Sequence, residues 1–293
     1  MINMRRSVIS LGLAALVSVI WPATALAATD PGLGAAGNFA VLAGNGTALT
    51  NTGPSWITGA IGAGTAITGF PPGTAGPQHV NDSTYITAQT NLTAAYNNAA
   101  GQPNTADYSN VNLGGLTLGP GVYNQSTAPT LTGTLTLSGG GVYIFKEGST
   151  LITASGARVS LINGAQPCDI FWVVGSSATI ATSTTFVGNI MATTSITMQT
   201  GATLNGRALA RGAGTTLDTN RIIQPSGCAG GYTASYPAPA YVPPPGGNVL
   251  PATLGIPWEL VGQFPWLLVI AVGAGLGAAV LGIQSQRRRR RSV

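Results

Sequence analysis

Chemistry in a polypeptide needs acids, bases, nucleophiles or metal ligands at workable spacing, and this sequence offers few. Its one histidine is His79, in what reads as a loop ahead of a helical stretch. A lone imidazole there is better read as a hydrogen-bonding group than as a general base. Asp82, Asp107, Glu147, Asp169 and Asp218 lie at least 20 residues apart, so no local carboxylate pair forms, although a repeating fold can gather distant residues. No metal-ligand spacing and no phosphate-cradling glycine loop is present. We therefore expect no catalytic residue, no metal and no cofactor. The abundant reactive type is threonine, whose hydroxyl and methyl act as a surface rather than one at a time.

The charge pattern narrows the partners. Charged residues make up 6% of 293, against roughly 25% in an ordinary soluble domain. The formal charge of +5 is concentrated at the ends, in Arg5, Arg6 and the run Arg287 to Arg291. Between Ala28 and Val249 the basic residues are Lys146, Arg158, Arg207, Arg211 and Arg221. The acidic residues there are Asp30, Asp82, Asp107, Glu147, Asp169 and Asp218, so this part is close to neutral. No basic stripe follows a phosphate backbone, and nucleic acid is excluded as a partner.

Both ends read as targeting segments. Residues 1–27 have a basic start, an apolar run from Val8 to Ile20 and the small-x-small site Ala25-Leu26-Ala27, the pattern of a secretory signal. Residues 264–283 are uncharged and, as a helix, would reach about 30 Å, one hydrocarbon core. The arginine-rich tail, 284–293, belongs on the cytoplasmic side. Before the span, in segment 250–263, Leu250-Pro251-Ala252-Thr253 resembles a sortase sorting signal. It departs at Leu254, where that pattern has glycine. Covalent wall attachment through sortase and simple tethering to the membrane through the C-terminal helix are both open. Either way the protein is expected to be exported and displayed at the cell surface. Residues 229–249, with Pro237, Pro239, Pro243, Pro244 and Pro245, read as a polyproline stalk of up to about 65 Å.

Function then falls to residues 28–228. From Gly114 to Thr219 short Thr- and Val-rich runs alternate with glycine. A shift of 18 residues lays Thr179-Ile180-Ala181-Thr182 on Thr197-Met198-Gln199-Thr200, and Thr185-Phe186-Val187-Gly188 on Thr203-Leu204-Asn205-Gly206. A shift of 19 carries Ile196-Thr197-Met198 onto Thr215-Thr216-Leu217, and Leu116-Thr117-Leu118 onto Leu135-Thr136-Leu137. A near-constant period with β-type residues predicts a β-solenoid, one coil per repeat. Alternation turns Phe186, Leu204, Ile180 and Met198 inward and Thr179, Thr197, Thr185 and Thr203 outward. Ser83 to Ala100 breaks the pattern. Tyr85, Ala88, Leu92, Ala95, Tyr96 and Ala99 recur at helical spacing, with Asn81 or Asp82 as N-cap and Gly101 just past the end. The fold class is all-β with one long α-helix. Cys168 and Cys228, in an exported chain, suggest a disulfide closing about 60 residues, worth roughly 4 kcal/mol. Two buried free thiols are the alternative.

Ordered blocks add a resemblance. They are Asn38 to Gly44, Asn51-Thr52-Gly53-Pro54, Gly69-Phe70-Pro71-Pro72-Gly73, Leu113 to Leu118 with Pro120-Gly121-Val122-Tyr123, Leu161 to Ala165 with Phe171-Trp172, and Gly206 to Ala210. Together, from about Asn38 to Cys228, they resemble the bacterial and fungal ice-binding-protein family. The resemblance implies a right-handed parallel β-helix of triangular cross-section with a helix packed along it, and N-terminal coils joined to C-terminal ones. It also implies an ice crystal surface as partner, met by a flat threonine face with a loose T-A/G-x-T/N motif. Thr65-Ala66-Ile67-Thr68 and Thr200-Gly201-Ala202-Thr203 match that motif. The candidate ice-binding residues are Thr65, Thr68, Thr179, Thr182, Thr185, Thr197, Thr200 and Thr203, with Thr182 over Thr200 and Thr185 over Thr203 as ladders. Arg158 interrupts the row in the preceding coil. The alternative is a surface adhesin or wall-structural module on the same scaffold, binding glycan or another cell.

Overall fold

Glycine-punctuated runs rich in β-branched residues fit short, half-buried strands, and the chain lays them side by side in parallel. The structure, a computed structural model, describes residues 27–127 and 130–226. One coil shows the plan. Strand Ala178–Ile180 is followed by a corner and then by Thr185–Ala192. This second strand turns at Gly188, whose φ of 111° is left-handed backbone suited to glycine. The next coil repeats it as Ile196–Met198 and Thr203–Ala210. Thr185 pairs Thr203 and Ala192 pairs Ala210 in unbroken register, as the 18-residue shift predicts. The 19-residue shifts hold as well: Thr197 pairs Thr216 and Thr136 pairs Thr117.

Alternation places the core as expected. Phe186, Leu204, Ile180 and Met198 are all buried. Inside the coils an aromatic stack runs from Tyr108 through Tyr123, Phe145 and Trp172 to Phe186, with successive ring centroids 4.2 to 5.8 Å apart. The Trp172 indole N–H is satisfied by the Val187 carbonyl at 3.0 Å.

The coils do not follow chain order. Phe39–Leu42 pairs with Thr203–Ala210 on one side and with Ala60–Ala63 on the other. Leu49–Thr52 pairs with Thr215–Asp218. The N-terminal segment is thus added to the C-terminal end of the stack. The chain then returns to the far end through the helix Ser83–Gly101. Nineteen residues give about 28 Å of helix, much of the distance across the nine strand runs of the sheet path.

The helix begins where its cap allows. Asp82 accepts the Tyr85 N–H at 2.8 Å, and Gly101, expected just beyond the end, is the last helical residue. Tyr85, Ala88, Leu92, Ala95 and Ala99 are buried against Phe39, Leu42, Ile144, Phe171 and Met191 of the sheet. Gln89 joins the buried face, its amide donating to the carbonyls of Ala43 and Ala210. The helix therefore closes one side of the stack. Among the described residues no helix is long and apolar enough to cross a membrane; residues 264–283, the sorting-like segment, the stalk and Cys228 lie outside them.

Candidate functional site

With one side covered by the helix, two sheet surfaces remain open. The first is a six-strand sheet ordered Leu151–Ile152, Ala178–Ile180, Ile196–Met198, Thr215–Asp218, Leu49–Thr52, Ile67–Thr68. Its outward residues fall in register: Ile152 beside Thr179, then Thr197, Thr216, Thr50 and Thr68. Five threonines stand in one column, spanning roughly 19 Å at about 4.8 Å per rung. The residues two positions earlier are Ala66, Ala48, Gly214, Ser195 and Ser177. Backbone hydrogen bonds from Leu49 to Ala66, Thr215 to Ala48, Ile196 to Gly214 and Ala178 to Ser195 stack them as a second, small-residue column. Neither column holds a charge; on the other flank, two positions after Thr197 and Thr216, stand Gln199 and Asp218.

The hydroxyls of Thr50, Thr68, Thr179, Thr197 and Thr216 make no hydrogen bond to another described residue, so each is open to water. The row behind them is firm. Thr215 is fully buried and donates to the Leu42 carbonyl at 3.0 Å. Buried Asn51 donates to the carbonyls of Gly53 and Gly69. Buried Asn220 donates to those of Gln199 and Ala202. These amides lock the corner where the chain leaves this sheet.

The eight candidate threonines separate by position. Thr68, Thr179 and Thr197 belong to the five-membered column. Thr65 sits at the entry corner, its N–H bonded to the Thr47 carbonyl. Thr182 and Thr200 stack at the exit corner with occupied hydroxyls: Thr182 reaches the Gln199 side-chain oxygen at 3.4 Å, and Thr200 donates to Asp218. Thr185 and Thr203 pair as expected but lie on the second open face, in a row with Arg158, Arg221 and Trp56. The two tetrapeptide matches, at Thr65 and at Thr200, therefore occupy different corners of their coils. Thr50 and Thr216 complete the column and were not among the candidates. The 19-residue shift had laid Thr216 on Thr197, but no fixed period links Thr50 to Thr216.

The titratable groups are placed for structure. His79, expected in a loop, lies in the edge strand Gln78–Val80; it bonds Asp82 at 2.7 Å and meets the Phe39 ring edge-on. Asp82 is held below the usual carboxylate range chiefly by the Tyr85 N–H. Burial pushes Glu147 up to about 8 and, with Asp30 nearby, Asp169 up to about 6. Arg207 is lowered to about 10 by burial and braces a corner through Asn189 at 2.8 Å and the Gly37 carbonyl at 2.9 Å. None of these faces the threonine column. No three His, Cys, Asp or Glu residues come together as a metal site among the described residues.

Stacked parallel coils, a helix along one side and an in-register column of open hydroxyls define a class of surface-acting solenoid. The comparisons make it specific. The family model described as Ice-binding-like matches residues 41–223, and the chain belongs to that family. An ice-binding protein of Nostoc sp. (strain HG1) is 45% identical over 206 residues, covering 68% of this chain and 76% of the relative. One of Flavobacterium frigoris (strain PS1) is 36% identical over 213 residues, 66% and 76% of the two chains. The crystal structure of an ice binding protein from an Antarctic biological consortium superposes with a TM-score of 0.65 at 40% identity, covering 70% of this chain and 96% of that one. The ice-binding protein LeIBP from Arctic yeast gives 0.62 at 28% identity, over 71% and 100%.

Proposed function

We propose that this protein binds ice through the column Thr68, Thr50, Thr216, Thr197 and Thr179, without catalysing a reaction. The observation that carries the reading is the in-register stack of five threonines whose hydroxyls make no bond to another described residue. Each hydroxyl anchors a water, and each methyl confines first-layer water without competing hydrogen bonds. Single contacts are weak, so rigid repetition is what makes adsorption effective. Family membership and the relatives named for ice binding support this reading.

The finer expectations join the proposal. The coils are right-handed, as crossovers between parallel strands almost always are, and enclose a triangular section. Cys168, in the 3-10 turn Pro167–Asp169, pairs with Cys228. The chain is exported and held at the cell surface by its C-terminal span or by wall attachment at Thr253. Resistance of the protein to detergent extraction, abolished by Thr253→Ala, would mark the wall route; full extraction would mark the membrane.

The ice reading is tested on purified protein by thermal hysteresis and recrystallisation inhibition. Wild type should show both, and Thr197→Tyr or Thr216→Tyr should remove most of the activity at unchanged melting temperature. Unmodified ice growth with wild-type protein would end the proposal.

A further inference from the structure

The second open face carries a different chemistry. Register pairing places Arg158, Thr185, Thr203, Arg221 and Trp56 one after another across five coils. Both arginines are exposed, and among the described residues the one ion pair is His79 with Asp82, so neither guanidinium is neutralised. Trp56 is 46% exposed, with the Arg221 guanidinium 4.9 Å from its ring centroid. The next outward column holds the Asn205 amide, in register between Val187 and Ile223.

From this row we infer a binding surface for an acidic polysaccharide, separate from the threonine column and independent of the ice reading. Three rungs separate the two cations, about 14 Å, with two hydroxyls between them. A flat, extended row of this kind suits a chain bearing carboxylates at intervals, not one compact anion. Beyond Arg221, Trp56, itself bridged to Thr74 on its far side, gives the row an aromatic edge and a second ring face against which the C–H side of a sugar ring packs. Two arginines are far fewer than the phosphate contacts on which nucleic-acid affinity depends. The two charged guanidinium groups also interrupt any run of hydroxyls and methyls, so the row is not a second copy of the threonine face.

The test uses the full chain in detergent, with Arg287 to Arg291 changed to glutamine in every arm so that the tail does not bind the probe. Immobilised alginate, a polyuronate, is compared with neutral dextran and with double-stranded DNA. We expect alginate binding that falls as salt rises, weakens at least tenfold in the R158A/R221A double variant and severalfold in W56A, with melting temperatures unchanged. Dextran and DNA should bind at least tenfold more weakly than alginate. Failure of the unsubstituted face to bind alginate, binding by the double variant within twofold, or equal retention on dextran or DNA would each overturn the inference.

Discussion

Thr197 lies inside the column, between Thr179 and Thr216, so a change there disturbs water on both sides. Thr197→Val keeps the methyl and volume and should lower ice activity only partly, whereas Thr197→Tyr raises a ring above the plane and should nearly abolish it. Thr185→Tyr, on the adjoining face, should leave activity within about twofold; recrystallisation assays of the three variants check the order. Glu147 makes a separate residue-scale prediction. Its Oε1 has no hydrogen-bond partner, and burial raises its pKa from 4.5 to about 8. The folded state keeps a proton that the unfolded state has lost. Stability from this group is therefore full below about pH 4.5 and declines as pH rises towards 8, by at most about 1.4 kcal/mol per unit. Glu147→Gln should remove that decline, gaining on wild type between pH 5 and pH 8 in denaturant titrations. The threonines of the column at 179 and 197 were legible because alternation fixes side-chain direction within a strand. Thr182, Thr185, Thr200 and Thr203 were legible as ladders but not as positions, since a corner of four residues decides which face follows.

The corners are the elements on which levelness depends. Gly201 has a φ of 71°, and the equivalent positions carry Ser183, Thr219 and Gly53, also at positive φ. A Cβ on Gly201 would meet only the Ser183 hydroxyl, at 3.9 Å, so Gly201→Val should cost backbone strain alone, about 1–3 kcal/mol. Gly206 is different. A Cβ there would lie 1.9 Å from the Gly188 carbonyl oxygen, so Gly206→Val forces two coils apart and should lose far more stability in the same thermal melt. The helix is held by burial, and Leu92→Ala, fully enclosed, should cost about 2–5 kcal/mol. Its limits and buried face were readable from spacing because a cap and a 3.6-residue period are local signals. Its length was readable too, but the span it bridges depends on how the coils are ordered.

That order is a property of the whole molecule and left no local trace. Register ties Val41 to Ala208 and Thr50 to Thr216, contacts that close only after most of the chain is available. Folding dominated by such distant pairing is slow, and refolding from denaturant should take milliseconds to seconds or longer. Microsecond recovery of the strand signal would contradict the non-sequential assembly. The coil period, the inward residues and the helix could be read from sequence because each involves neighbours in the chain. The junction of first and last coils came only through resemblance to relatives. The same junction restricts how the hydroxyl array can grow. The free side of Thr215–Asp218 is already taken by Leu49–Thr52, so a duplicated repeat appended after residue 226 adds nothing to the plane. A lineage under pressure for a larger contact area must accept its new coils as insertions within the chain, either between existing rungs or beyond the edge strands Ile67–Thr68 and Leu151–Ile152.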